Sequence, residues 1–113
     1  MSMLEELNMI IESAELPVET GVFSATAPDE YVVITPISEH FELFSDNAPG
    51  MNIEEARLSL FSKGNYGAKK RHLVRLLLLA GFLVTERRYI GLEEETDYHN
   101  FAIDVAKEYM EEE

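Results

Sequence analysis

The chain contains no cysteine, and positively charged residues are scarce. Without cysteine it can form no disulfide bond, no zinc–thiolate site and no reactive thiol, which is consistent with a reducing compartment. Its longest apolar run, at residues 76–84, is far shorter than the ~20 residues that a membrane-spanning helix requires. The first 15 residues are acidic and lack the apolar core of a signal peptide. We therefore expect a soluble protein of the cytoplasm that makes no contact with a membrane.

The few positive charges lie together. Eight of the nine Lys and Arg residues fall between Arg57 and Arg88, and one acid, Glu86, leaves that window at +7. The rest of the chain holds Lys107 and 21 acids, which leaves −20 and gives a net charge of −13 overall. Such a molecule can bind copies of itself, basic face to acidic face, or offer its basic face to a polyanion. The overall negative charge argues against general DNA binding.

The length of 113 residues and the apolar content of 46% predict one domain, residues 1–113, with one core. Leucine and isoleucine recur at helical spacing and predict a helix over residues 3–14, within an N-terminal segment 1–15. Ser2 and Glu5 match a capping box at its start. A second helix is predicted over residues 68–80, where consecutive leucines indicate deep packing, with a C′ glycine after it.

Alternating and β-branched residues predict the strands, which are residues 31–37, 40–45, 53–63, 82–90 and 98–107. The remaining segments are predicted to be a connector at 18–29 with a short edge piece at 22–23, a loop at 46–50, an acidic turn at 91–97 and a frayed acidic tail at 108–113. The predicted fold class is α+β. Its sheet has four to five strands and is mainly antiparallel, with two helices packed on one face.

No motif predicts catalysis, a metal or a cofactor. The histidines at 40, 72 and 99 lack the close spacing of metal ligands. The acidic turn lacks the alternating ligands and mid-loop glycine of a calcium loop. Residues 64–67 lack the Gly-Lys-Ser/Thr ending of a phosphate loop. We therefore expect a protein that is not an enzyme, with no catalytic, cofactor-binding or metal-binding residues.

Lys69, Lys70 and Arg71 fall in the first turn of the second predicted helix, where cations oppose the helix dipole. The stability of the helix does not explain cations at this position, whereas binding to an external partner does. The alternative is that these residues form a solvated surface. The predicted subunit or partner interface comprises Lys63, Lys69, Lys70, Arg71 and Arg75 on one side and Glu93, Glu94, Glu95 and Asp97 on the other. A nucleic-acid-binding regulatory module that uses the basic helix at 63–75 is the competing hypothesis.

From residue 15 onward the chain resembles the tail terminator, or tail-to-head joining, proteins of siphophages and prophages. The stretches that carry the resemblance are AELPVETGVF at 14–23, DEYVVITP at 29–36, RLSLFSKGNY at 57–66, RYIG at 88–91, TDYH at 96–99 and FAIDVA at 101–106. The similarity extends over whole segments and includes no motif that is tied to a particular chemistry. Another component of the neck, or head–tail connector, therefore stays an alternative.

The resemblance implies a structural virion assembly protein of a bacteriophage or prophage. It implies an α+β subunit that forms an oligomeric ring, usually a hexamer, which caps the tail tube and joins the tail to the head. The expected partners are other copies of the chain, the tail tube protein and a head-completion protein. DNA passes through such a ring without specific binding. The expected location is the virion tail or neck, and the host cytoplasm during assembly.

Overall fold

The described part of the chain folds into two helices and five strands. The structure is a computed structural model that describes residues 2–21, 28–42 and 51–110. In chain order the elements are α1 Met3–Ser13, β1 Val18–Thr20, β2 Glu30–Glu42, β3 Met51–Ser62, α2 Tyr66–Leu79, β4 Leu83–Glu93 and β5 Tyr98–Met110. The predicted edge piece at 22–23 and loop at 46–50 lie outside the described residues. Neither described helix has the length and apolar composition of a membrane span.

The five strands form one mixed sheet in the order β1-β2-β3-β5-β4. β1 runs parallel to β2, and every other neighbouring pair is antiparallel. The predicted α+β class with a mainly antiparallel sheet is therefore confirmed.

One face of this sheet carries the hydrophobic core. Ala56, Leu58 and Leu60 alternate along β3 and are buried, as their spacing predicts. The strand register places Leu58 between Ile34 of β2 and Ile103 of β5. Both helices add apolar side chains to the same cluster: Met3, Leu7 and Ile11 from α1, and Leu73, Val74 and Leu77 from α2. Both helices thus pack on one face of the sheet, as predicted.

The start of α1 follows from its capping residues. The Glu5 amide donates a 3.2 Å hydrogen bond to the Ser2 hydroxyl, and the Ser2 amide donates one to the Glu5 carboxylate. This is the predicted capping box, and it satisfies amides that have no partner within the first turn.

Two predictions for the first half of the sheet are wrong. Residues 18–20 were expected to belong to a connector, but they form β1 beside Val32 and Ile34. Residues 31–37 and 40–45 were expected to be two strands, whereas Glu30–Glu42 is one strand, and residues 43–45 lie outside the described part. Pro36 does not end this strand because the pairing with β3 shifts at a bulge between Pro36 and Ser38. A bulge accommodates a residue that has no amide hydrogen to donate.

The prediction that the second half of α2 is deeply packed is also wrong. Leu73 and Leu77 are fully buried, but Leu78 is 56% exposed and Leu79 is 78% exposed. A helix that lies on a sheet buries one stripe, and consecutive residues are about 100° apart around its axis. The helix begins at Tyr66, earlier than predicted, because the Asn65 side chain accepts a 3.0 Å hydrogen bond from the amide of residue 67.

The last two strands are longer than predicted. β4 continues to Glu93, so the predicted acidic turn shortens to the residues between Glu93 and Tyr98. β5 continues to Met110, so the frayed tail predicted from residue 108 is wrong for 108–110; residues 111–113 lie outside the described part. This extension pairs with β3 as far as Met51. Pairing with a neighbouring strand holds it in place despite its acidic composition.

Candidate self-association surface

The predicted basic residues lie at and after the end of β3. Lys63 follows β3, and its Nζ lies 4.9 Å from the centroid of the Tyr98 ring. Lys70 is on α2, with its Nζ 4.6 Å from the centroid of the Phe101 ring. Cation–π contacts of this kind hold an ammonium group against the surface without neutralising its charge. Arg71 and Arg75, also on α2, are exposed.

The first turn of α2 contains no acidic residue. Because α2 begins at Tyr66, Lys69 is the last residue of that turn, and the prediction that Lys70 and Arg71 also lie in the first turn is wrong. The helix forms because its buried leucines pack on the sheet and Asn65 caps it, not because of these charges. The cations remain available to a partner.

The predicted acidic residues lie at the same end of the sheet. Glu93 ends β4 and pairs with Tyr98, the residue whose ring lies under Lys63. Glu94, Glu95 and Asp97 form the exposed turn between the two strands. Lys63 of the predicted basic group therefore lies near Glu93 of the predicted acidic group within one subunit.

Within residues 2–21, 28–42 and 51–110, the ion pairs involve residues outside the predicted interface. They are Arg57–Asp104, Arg88–Glu86 and Lys107–Glu6. None of them links a predicted basic interface residue to a predicted acidic one. The assignment of both groups to an intersubunit contact stays a prediction.

A shallow groove of about 560 Å³ lies between the start of α2 and the start of β2. Its lining residues are Asp29, Glu30, Lys63, Gly64, Asn65, Ala68, Lys69 and His72. Glu30 accepts a 3.2 Å hydrogen bond from the buried Ser62 hydroxyl, and that hydroxyl accepts one from the Gly64 amide. The groove thus presents both signs of charge. A polyanion bound there would meet carboxylates as well as lysines.

The histidines do not form a metal site in the described part of the chain, where no group of three or more potential ligands comes together. His72 is exposed on α2. His99 lies on β5, with its Nδ1 2.9 Å from the Tyr89 hydroxyl and its ring beside Tyr66. The backbone of His40 lies in β2.

Sequence analysis missed a contact between α1 and β5. The Lys107 ammonium donates to the Glu6 carboxylate at 2.7 Å and to the Ala80 carbonyl at 2.8 Å. Tyr109 donates to the other oxygen of Glu6, also at 2.7 Å. Burial and the hydrogen bond to Glu6 raise the pKa of Tyr109. Burial acts to raise the pKa of Glu6, but hydrogen bonds from Lys107 and Tyr109 outweigh it and lower that pKa.

Sequence analysis also missed the exposed apolar side chains along β4. Leu83, Tyr89, Ile90 and Leu92 are each at least 43% exposed. They share β4 with Arg87 and Arg88, and this strand is exposed along nearly all of its length. β4 pairs with β5 on one side only, so it forms one edge of the sheet. Apolar side chains on an unpaired edge strand are typical of an association surface.

Comparisons with known proteins identify a related fold. No protein-family model matches the chain, and no curated protein matches it. Among solved structures, the fold is similar to that of a chain in the virion of a native gene transfer agent particle, with a TM-score of 0.56 and 13% sequence identity. The similarity covers 93% of this chain and 84% of that chain. At this level of identity, the similarity shows a shared fold.

Proposed function

We propose that the protein is a structural component of a phage-like virion. The observation that carries the proposal is the similarity of nearly the whole fold, over 93% of this chain, to a chain of a gene transfer agent virion. The similarity also spans 84% of that other chain, so it extends over most of both chains rather than over a short common substructure. A fold alone does not determine function, so the sequence resemblance to phage neck proteins is a second line of support.

Within the virion, we assign the chain to the tail terminator. In this role it forms a ring, a hexamer in our proposal, that caps the tail tube, ends its growth and presents a surface to the head. The ring's partners are copies of itself, the tail tube protein and a head-completion protein. The chain acts through its surfaces and catalyses no reaction. The exposed edge strand β4, with its arginines and apolar side chains, supports a role in assembly.

The test is removal of the chain from the phage or prophage that encodes it, followed by electron microscopy and mass spectrometry of the particles. Loss of a tail terminator gives separate heads and tails, with tails longer than normal. Another neck component gives separate heads and tails of normal length. Normal joined particles in the absence of the chain would contradict both roles.

The alternative hypothesis, from a different functional class, is that the chain is a nucleic-acid-binding module. It requires binding of single- or double-stranded DNA or RNA at low salt, and affinity that falls steeply as salt increases. The carboxylates of Asp29 and Glu30 in the groove beside Lys63 and Lys69 argue against it. A fluorescence anisotropy titration with labelled oligonucleotides tests it, and binding abolished by Lys69→Glu would favour this alternative.

A further inference from the structure

The two edges of the sheet differ in composition. On one edge, β4 has two register shifts in its pairing with β5, around residues 85 and 90. Between them, Arg87 and Arg88 are exposed beside apolar Ile90. We call Leu83, Arg87, Arg88, Ile90 and Leu92 the β4 surface. It is apolar and keeps a net positive charge, because Glu86, whose Oε1 lies 3.9 Å from the Arg88 Nε, offsets only one of the two arginines. No described strand covers its outer side.

On the opposite edge, β1 protects only part of β2. β1 pairs with Val32, Val33 and Ile34, and these three residues are buried. From residue 35 to residue 39, beyond the end of β1, every residue of β2 is exposed. No strand in the described ranges pairs with the outer side of that segment.

A groove of about 360 Å³ lies on the exposed segment of β2. Its lining residues are Met3, Leu4, Pro36, Ile37, Ser38, Glu39, Glu54, Glu55 and Ala56. Apolar side chains of α1 and β2 thus stand beside three carboxylates, and Ile37 is 50% exposed. We call Pro36, Ile37, Ser38, Glu39 and Glu55 the β2 surface. It is anionic and apolar, the complement of the β4 surface.

The strand register places the two surfaces at the same height on the molecule. Leu83 pairs with Ala106, Ala106 with Glu55, and Glu55 with Ser38, so a single row crosses the sheet from the β4 surface to the β2 surface. β2 and β4 also run in opposite directions, because three antiparallel pairings separate them. Two copies in the same orientation therefore bring β4 of one antiparallel to β2 of the next.

We propose that copies of this chain associate head to tail, with the β4 surface of one copy docked on the β2 surface of its neighbour. This inference rests on the proposed function, because it identifies the surfaces that build the ring. The contact is heterologous, since each copy uses two different surfaces, and repetition around an axis closes a ring. Opposite charges orient the partners, apolar side chains are buried between them, and edge backbone groups can pair across the joint.

This arrangement differs from the interface predicted from sequence in its acidic partner. The carboxylates at 93–97 lie at the end of the sheet beside Lys63. Glu39 lies on β2, toward the edge opposite β4, and Glu55 of the central strand β3 pairs with Ser38 next to it. Contact between opposite edges brings a cationic strand to an anionic one. Variants of the two acidic groups therefore distinguish the two arrangements.

The first experiment is complementation between two broken surfaces, followed by mass photometry and native mass spectrometry. Arg87→Glu with Arg88→Glu places acids against the acidic β2 surface. Ile37→Lys with Glu39→Lys places cations against the basic β4 surface. We expect each double variant alone to be a monomer, with at least about a tenfold loss of affinity. Mixing the two is expected to restore association, because each retains the surface that the other lacks.

Matched controls separate this contact from general charge effects. Glu94→Lys with Glu95→Lys makes a similar charge change on the acidic turn and is expected to leave the oligomer intact. Circular dichroism melts of all variants check folding, since every substituted side chain is exposed in the subunit. If the turn variant dissociates while the β2 variant remains assembled, the proposal is wrong.

The second experiment uses the absence of natural cysteine. A chain with both Leu83→Cys and Ile37→Cys, treated with a short bis-maleimide, is expected to give a ladder of covalent multimers on a denaturing gel. Neither single variant gives a covalent dimer if the contact is heterologous. A dimer formed efficiently by Leu83→Cys alone indicates a two-fold contact and would overturn the proposal. A wild-type protein that stays monomeric at its highest soluble concentration, with no cross-linked ladder, overturns it as well.

These outcomes are separable from the proposed role in the virion. In one outcome, the chain forms rings that depend on the two surfaces but is absent from purified particles. That result would support the inference and contradict the role. A chain present in the neck whose surface variants still assemble normally joined particles would support the role and contradict the inference.

Discussion

Lys107 donates a 2.7 Å hydrogen bond to Glu6, a residue 101 positions away in the sequence. The same ammonium group donates to the Ala80 carbonyl just after α2 and lies 4.8 Å from the centroid of the Phe82 ring. One side chain of β5 therefore ties the start of α1 to the end of α2. Lys107 is the basic residue that lies outside the cationic segment, and its position gives it a structural rather than an intermolecular role.

Replacing Lys107 with methionine should destabilise the protein. The change leaves the partly buried Glu6 carboxylate without its ion-pair partner and the Ala80 carbonyl without a donor. We expect the free energy of unfolding to fall by about 1–3 kcal/mol, the range for a lost charged hydrogen bond that is not fully buried. Urea denaturation followed by circular dichroism measures it. Lys69→Met on the surface is the control, and equal stability of the two variants would contradict the structural role.

The contribution of Glu6 should depend on pH. Its pKa is lower in the folded protein than the usual glutamate value of 4.5, so the stabilisation is present above that value and is lost as the pH falls through the folded pKa. Glu6→Gln should be less stable than wild type at pH 7, and the difference should shrink below about pH 4.5. Urea denaturation of both proteins across this range provides the measurement. A difference that stays constant with pH would show that Glu6 acts through packing alone.

Two leucines separated by one residue in α2 should respond very differently to truncation. Leu77 is fully buried and Leu79 is 78% exposed. Leu77→Ala should lower the free energy of unfolding by about 2–5 kcal/mol, because it leaves a cavity between α2 and the sheet. Leu79→Ala should change it by less than about 0.5 kcal/mol. Chemical denaturation at low protein concentration compares the subunits without association, and a large loss for Leu79→Ala would mean that its side chain is packed within the subunit.

Gly81 ends α2 with a positive φ of 89°. An alanine Cβ would meet the Lys107 Cε at 3.8 Å, which is an ordinary contact. The cost of Gly81→Ala is therefore a backbone cost, about 1–2 kcal/mol for the left-handed conformation. Thermal unfolding monitored by circular dichroism tests it, with Gly64→Ala as the control, since Gly64 has no positive φ and a Cβ there meets nothing. If both alanines cost the same, the φ angle does not explain the effect.

Local sequence patterns predicted those features that depend on neighbours in the chain. The Ser2 and Glu5 pair predicted the capping box of α1, and the alternation around Leu58 predicted the buried face of β3. Gly81 was predicted as the C′ residue for the same local reason. These signals are reliable because the groups that interact are within a few residues of one another.

Other features depend on pairing between strands that are distant in the sequence. Residues 31–37 and 40–45 were predicted to be two strands, but a bulge between Pro36 and Ser38 lets β2 continue as one strand. The acidic composition after residue 107 suggested a loose tail, but residues 108–110 pair with β3, and Tyr109 donates a hydrogen bond to Glu6. The exposure of Leu78 could have been suspected, because four consecutive leucines cannot all face one side of a helix.

The sequence by itself determined that the chain is acidic with one cationic segment and that it builds an α+β fold. These conclusions depend on composition and on short-range periodicity. Only the tertiary structure decided which charges stand together, because the distance between two side chains depends on strand order and register rather than on their spacing in the sequence. It placed the acidic turn beside Lys63 and the edge strand β4 on the side of the sheet opposite Glu39 of β2.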